Sequence, residues 1–199
     1  FSSKKPLKNA YVKSFKYLTL LSLPIAVGTT LLAEPIILLI FKSTYTPSIL
    51  ALQIVVWVLP FTFVNYILSY LLTSMNRQMT VLKITAASLI LNVGMNLILI
   101  PQYSYLGAAF VTVITDVFVG LLNYHIVSKL VAKVKIQEVI FKPAVACLVM
   151  ALFILLVKIN LLAVIIISIV IYFLVLIGLK TFTPEDYDLF KQILNIKRD

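Results

Sequence analysis

The chain has 199 residues, 62% of them hydrophobic, and a mean hydropathy of +1.09. That is far more apolar than a soluble domain, and several runs reach the roughly 20 residues needed to cross a bilayer core about 30 Å thick. A formal charge of +10 suits nucleic acid, but the lysines sit between apolar runs rather than along one amphipathic face, so they read as topology signals and argue against a nucleic-acid partner.

Residues 1–16 form a basic segment carrying Lys4, Lys5, Lys8, Lys13 and Lys16. The chain opens on Phe1 with no signal-peptide pattern, so it is expected to begin inside a longer polypeptide. The first apolar run spans about 17–41. Pro24 is expected to kink it, and Glu34-Pro35 to start a new helical piece with Glu34 as its cap. The sharper reading of Glu34 is an ion-binding or gating carboxylate. After a short loop holding Lys42, Tyr45 and Pro47, a second helix is expected over about 48–75, with Thr62, Asn65 and Ser69 on one face.

The turn Asn76-Arg77-Gln78 leads to a third helix, about 79–100. Thr85, Ser88, Asn92 and Asn96 share one face of it, within about 80° on a helical wheel. Lys83 points the opposite way, placed to snorkel to the interface. Arg77 and Lys83 are candidate contacts for an anion or lipid headgroup. Pro101-Gln102-Tyr103-Ser104 is the expected hairpin turn. A fourth helix follows over about 105–127. Ala108, Thr112, Thr115, Asp116 and Asn123 share a face there, within about 100°. The small residues at its start permit close helix approach. His125 falls near its end, at the interface.

Residues 129–142 make a basic connector. Two more helices, about 143–157 and 161–179, are nearly featureless and meet at a turn marked by Lys158 and Asn160. The tail from Lys180 is polar, and Thr183-Pro184-Glu185 is expected to open a surface helix. Cys147 lies alone in an apolar run, with no partner for a disulfide and no metal-ligand spacing. The fold class expected is therefore an all-α membrane protein with six transmembrane helices. The ten-residue alternation of barrel strands is absent.

Orientation follows from the basic residues. Five precede the first run, Arg77 and Lys83 flank the second turn, four lie in 129–142, and four follow from Lys180; only Lys42 and Lys158 fall on the other side. The positive-inside rule then puts both termini in the cytoplasm.

Asp116 is the most informative residue. A carboxylate near the membrane centre costs about 2.5–3.5 kcal/mol on insertion scales. One reading makes it a cation, proton or gating site. The other makes it an interhelical hydrogen-bond acceptor, with Asn92 or Asn96 across the hairpin as the expected donors. Asn65, Asn92, Asn96 and Asn123 are candidates for a polar helix–helix or cavity face. No catalytic constellation, metal site or cofactor motif appears: there is one histidine, no useful carboxylate pair, no Gly-rich phosphate loop and no HExxH.

The runs LLAEPIILLIFKSTYTPS, MNRQMTVLKITAASLILNVGMNLILIP and YSYLGAAFVTVITD resemble the C-terminal region of polysaccharide-transporter flippases. These belong to the multidrug/oligosaccharidyl-lipid/polysaccharide exporter superfamily. The matching positions are Phe41, Tyr45, Asn76-Arg77, Asn92, Asn96, Pro101, Gly107-Ala108-Ala109 and Asp116, and the tail TFTPEDYDLFKQIL is similar too. Lys42 stands where relatives often have Gly.

The resemblance implies a fourteen-helix protein in the cell membrane, of which these would be the last six. Residues 17–128 would complete a C-terminal lobe and 143–179 would be an additional helix pair. It also implies alternating-access export of a polyprenyl-pyrophosphate-linked oligosaccharide, with membrane lipid and the missing upstream helices as partners. The alternatives are a multidrug/cation antiporter of the same superfamily and a membrane-scaffold subunit.

Overall fold

The computed structural model describes residues 4–157, 159–182 and 186. The described residues are helical, joined by short turns, with no strand among them. Five helices are long and apolar enough to cross a membrane.

The first helix, α1, runs unbroken from Lys4 to Phe41 through Pro24 and Pro35. The expected start at 17 is thus too late by more than three turns. Tyr11 and Phe15 are the reason: they stand one turn apart and are buried against Leu68, Leu71, Leu72 and Val127, which extends the packed face into the lysine-rich segment. The expected new helix at Glu34-Pro35 does not form either. Glu34 is exposed in mid-helix and caps nothing. Inside a packed membrane helix a proline is tolerated when another group takes up the carbonyl it orphans. For Pro24 that carbonyl belongs to Leu20, and the Tyr172 hydroxyl donates to it at 2.7 Å.

A 3-10 turn at Ser43–Tyr45 leads to α2 (Ser48–Val55) and α3 (Val58–Ser74), where the sequence pattern predicts a single helix. Pro60 explains the break, since it cannot donate to the Val56 carbonyl and its ring crowds that group. Leu59 N–H donates to Val56 instead, and the helix resets at Val56–Trp57.

The longest element, α4 (Gln78–Leu130), is continuous by hydrogen bonding but contains one non-helical residue, Ser104, at φ 54° and ψ −135°. Straight, 53 residues would extend about 80 Å. Asn92, however, bonds to Thr115 at 3.1 Å, which a straight helix forbids. The chain therefore folds back at Ser104 into two antiparallel arms, 78–103 and 105–130. The expected four-residue turn contracts to that one residue, because Pro101 to Tyr103 stay helical. Gly107 lets the arms meet: a Cβ there would lie 2.6 Å from the Leu99 carbonyl oxygen.

The next helix, α5 (Ile136–Leu156), begins seven residues before the expected Pro143. Val134 and Val139 pack into the core of α1, α3 and α4, and this shortens the connector to a few residues. Glu138 sits in the first turn, where a carboxylate suits the helix dipole. It accepts from Lys135 Nζ at 2.7 Å, which holds that exposed ammonium above its usual range. The last helix, α6 (Leu161–Gly178), starts as expected, with Asn160 Oδ1 capping the Leu162 N–H at 3.0 Å. Lys158 and the Thr183-Pro184-Glu185 start expected for a surface helix lie outside the described residues.

Four turns use a left-handed non-glycine residue: Lys42, Asn76, Ser104 and Lys180. The described glycines lie on helices, where Gly107 and Gly120 serve close packing.

Two apolar cores share α1. Tyr11 and Phe15 join the core with α3 and α4; Leu20 joins one with Ala146, Met150, Val164 and Leu176 of α5 and α6. Tyr11 and Leu20 are nine residues apart and so about 180° apart around the helix. One side of α1 thus carries α3 and α4, and the opposite side carries the α5–α6 pair except for the first turn of α5, which reaches the α3–α4 core through Val139. One end of the bundle gathers Arg77, Lys129, Lys135, Lys142 and Lys180 and is the lysine-rich end. At the other, Tyr105 OH bonds to the Pro47 carbonyl at 3.0 Å, joining the hairpin turn to the start of α2.

Candidate functional site

The most polar feature within the helices is the seam between α3 and the second arm of α4. The chain reverses in the first arm, so these two helices run parallel. Matching spacings can therefore zip. Thr62, Asn65 and Ser69 lie on one face of α3, and Asp116, Gly120 and Asn123 on the facing side of α4. Thr62 Oγ1 donates to Asp116 Oδ2. Asn65 Nδ2 donates to the Asp116 backbone oxygen at 2.9 Å. Asn123 Nδ2 donates to Ser69 Oγ at 3.2 Å. Gly120 opens the middle of the seam, where a Cβ would come within 3.1 Å of Asn65 Oδ1.

Asp116 is thus an interhelical acceptor, but its side-chain donor is Thr62 of α3 rather than Asn92 or Asn96. Those two serve the hairpin instead. Asn92 reaches Thr115, the residue beside Asp116, and Asn96 donates to Asn92 Oδ1 at 2.9 Å. Thr115 itself is anchored to the Val111 carbonyl at 2.8 Å. Asn92, Asn96 and Asp116 are therefore brought to one region, joined through adjacent residues of the second arm. Of the other residues on the third predicted face, Ser88 bonds only to the carbonyl of Thr85, within its own helix.

The chemistry available at the seam is that of oxygen acceptors. Asp116 is half-buried and has no basic side chain within ion-pair distance among the described residues. At the seam Asn65 and Asn123 each present a buried Oδ1 with no hydrogen-bond donor, as Asn96 does in the hairpin. Asn123 is 1% exposed. A buried unsatisfied acceptor is costly, so the site is suited to receiving a donor or a positive charge. It holds no nucleophile–base pair. Among the described residues no group of three His, Cys, Asp or Glu side chains could hold a metal ion.

The remaining candidates lie away from the seam. Glu34 is exposed on α1, and Lys83 is exposed on the first arm of α4. Arg77 is exposed at the α3–α4 turn, where its N–H donates to the Leu72 carbonyl at 2.9 Å. His125 is exposed near the end of α4, and Cys147 is buried in the α5–α6 core.

A second polar cluster has no counterpart in the sequence pattern. Asp186, 1% exposed, accepts from Lys16 Nζ at 2.7 Å and from Tyr17 OH at 2.5 Å. The residues are 170 and 169 positions apart, and no local pattern announces such a contact. The Tyr172–Leu20 bond did carry a signal: a proline in mid-helix always orphans the carbonyl four residues earlier.

No curated protein matches the chain. The family model MatE matches residues 2–98, which cover α1 to α3 and most of the first arm of α4 with Asn65, Asn92 and Asn96. The match covers 97 of the 199 residues and places this part of the chain in the multidrug/oligosaccharidyl-lipid/polysaccharide exporter superfamily of membrane transporters.

Proposed function

We propose that this chain is the C-terminal part of a flippase that moves a polyprenyl-pyrophosphate-linked oligosaccharide across the cell membrane by alternating access. The observation that carries the reading is the α5–α6 pair. Apart from its first turn, where Val139 meets the α3–α4 core, it packs on the far side of α1, as an addition to a lobe rather than part of it. An additional terminal pair is what the resemblance to fourteen-helix polysaccharide flippases calls for and what a twelve-helix antiporter lacks.

In this reading the two arms of α4 cross the membrane separately, which gives six crossings with both ends in the cytoplasm. Asp116, with Thr62 and Asn65, is the candidate ion or gating site. Arg77 and Lys83 meet headgroups at the cytoplasmic face. Most cargo contacts would come from helices preceding Phe1.

The test is rescue of a strain lacking its polysaccharide flippase. The upstream portion co-expressed with this chain restores surface polysaccharide, while the chain alone does not. Rescue by the chain alone would remove the two-lobe architecture. Drug efflux without polysaccharide rescue would favour the multidrug antiporter, and neither activity would favour a scaffold. Single-cysteine labelling tests orientation: position 135 reacting from outside intact cells would overturn it.

A further inference from the structure

The α5–α6 pair is held unevenly. Along its length it leans on α1, through Leu20 in the α5–α6 core. Between α5 and the α3–α4 pair lies an apolar cleft of about 230 Å³, with Phe61, Leu121 and Tyr124 on one wall, Ile136 and Ile140 on the other, and Phe15 of α1 as its floor. On that side packing reaches α5 at its first turn, through Val139.

Fixed ties cluster at the lysine-rich end. Tyr124 OH donates to the Val134 carbonyl at 2.8 Å, which secures the start of α5. Lys142 Nζ donates to the Lys180 carbonyl at 3.0 Å, which secures the exit of α6. Beyond that exit, Phe182 lies with its ring centroid 5.9 Å from Lys16 Nζ, and Asp186 receives Lys16 and Tyr17 together. Two donors converge on one buried carboxylate, one of them charged, and such a bond is both strong and directional. It joins the exit of α6 to α1.

We propose that the Lys16–Tyr17–Asp186 cluster is a latch that sets the angle of the α5–α6 pair on α1. Closed, it holds the pair away from α3 and α4 and keeps the cleft open. Released, it leaves the pair held by its apolar contacts, by the Tyr172–Leu20 and Tyr124–Val134 bonds and by the short connector, so the pair turns about α1 on those points and the cleft narrows. The inference rests on the packing and not on the cargo.

Disulfide trapping across the cleft tests it. Leu121→Cys and Ile140→Cys are placed on the opposite walls of the full chain in a Cys147→Ser background, and membranes are oxidised with copper phenanthroline. Breaking one partner of a buried pair leaves the other charge uncompensated, so Asp186→Asn is expected to raise the rate of bond formation at least about fivefold. Exchanging the charges, Lys16→Asp with Asp186→Lys, is expected to bring the rate back to within about twofold of the parent, as coupled residues do. Tyr17→Phe removes one donor, is gentler on folding, and is expected to give a smaller rise. If Asp186→Asn fails to insert, Tyr17→Phe decides the matter. A rate unchanged by both single variants, or a raised rate that the charge exchange leaves raised, overturns the latch.

Discussion

The bond between Tyr172 and Leu20 can be isolated by a double-mutant cycle. In a regular helix the Leu20 carbonyl would accept from the N–H of residue 24. That residue is proline, and the Tyr172 hydroxyl takes its place at 2.7 Å. Tyr172 is 1% exposed and Leu20 4%, so neither water nor lipid can replace the hydroxyl. Tyr172→Phe keeps the ring and its edge-on contact with Phe173, whose centroid is 5.5 Å away, and removes only the oxygen. The stranded carbonyl is expected to cost about 1–3 kcal/mol. Pro24→Ala returns an N–H to the helix. In that background the same loss should fall to below about 1 kcal/mol, the net worth of an ordinary hydrogen bond. The coupling is therefore about 1–2 kcal/mol, well above the additivity of independent sites. For a chain of this size it corresponds to a Tm difference of about 2–4 °C per kcal/mol, read by circular dichroism in detergent micelles. Equal costs of Tyr172→Phe in the two backgrounds would refute the argument.

Three further outcomes are expected. A Cβ added at Gly94 would meet nothing within 4 Å, whereas one at Gly107 would meet the Leu99 carbonyl oxygen at 2.6 Å; in the same thermal assay Gly94→Ala should therefore gain up to about 1 kcal/mol of helix propensity, while Gly107→Ala loses about 1–3 kcal/mol by forcing the hairpin open, and an equal effect at both would show that the arms are not in contact. Lys42 holds φ 65° and ψ −179°, a region that costs a residue with a Cβ about 1–3 kcal/mol, so Lys42→Gly should raise the melting temperature, and a fall would mean that the turn is unstrained. Asp116→Asn retains an acceptor for Thr62 and should keep the fold and its yield in membranes, whereas Asp116→Leu strands the threonine hydroxyl and should cost about 1–3 kcal/mol, recovered in part by Thr62→Val; transport abolished by Asp116→Asn at normal protein levels would instead assign the charge itself the working role.

How legible this molecule was depends on the range of the forces involved. Periodicity revealed the shared faces of Thr62, Asn65 and Ser69 and of Asp116 and Asn123, because helical spacing is a local property. It could not reveal that the two faces meet. Their meeting requires α3 and the second arm of α4 to run parallel, which depends on the reversal at Ser104. The same limit explains the wrong donors assigned to Asp116: Asn92 and Asn96 are nearer in sequence than Thr62, but the hairpin aligns Asn92 with Thr115. Helix boundaries failed where apolar side chains sit among lysines. Tyr11, Phe15 and Val139 looked like connector residues because charge dominated their neighbourhood, and their burial is a tertiary fact.

Prolines and glycines show how the chain divides these tasks. Pro60 stops a helix because no side chain replaces its missing N–H at Val56. Pro24 does not, because Tyr172 supplies the bond from another helix. At these two positions a proline is a break or a docking point according to what faces it. The glycines follow the same logic in reverse. Gly107 and Gly120 sit inside helices, where a glycine costs propensity; at Gly107 the Leu99 carbonyl leaves no room for a methyl, and at Gly120 the Asn65 side chain would have to give way by a few tenths of an ångström. The left-handed turns, which glycine would relieve, are instead built from Lys42, Asn76, Ser104 and Lys180. In lipid, helices gain little from apolar burial against one another, so association depends on close approach and on interhelical hydrogen bonds. Glycine placed at contacts rather than at turns supplies the first, and the seam from Thr62 to Asn123 supplies the second.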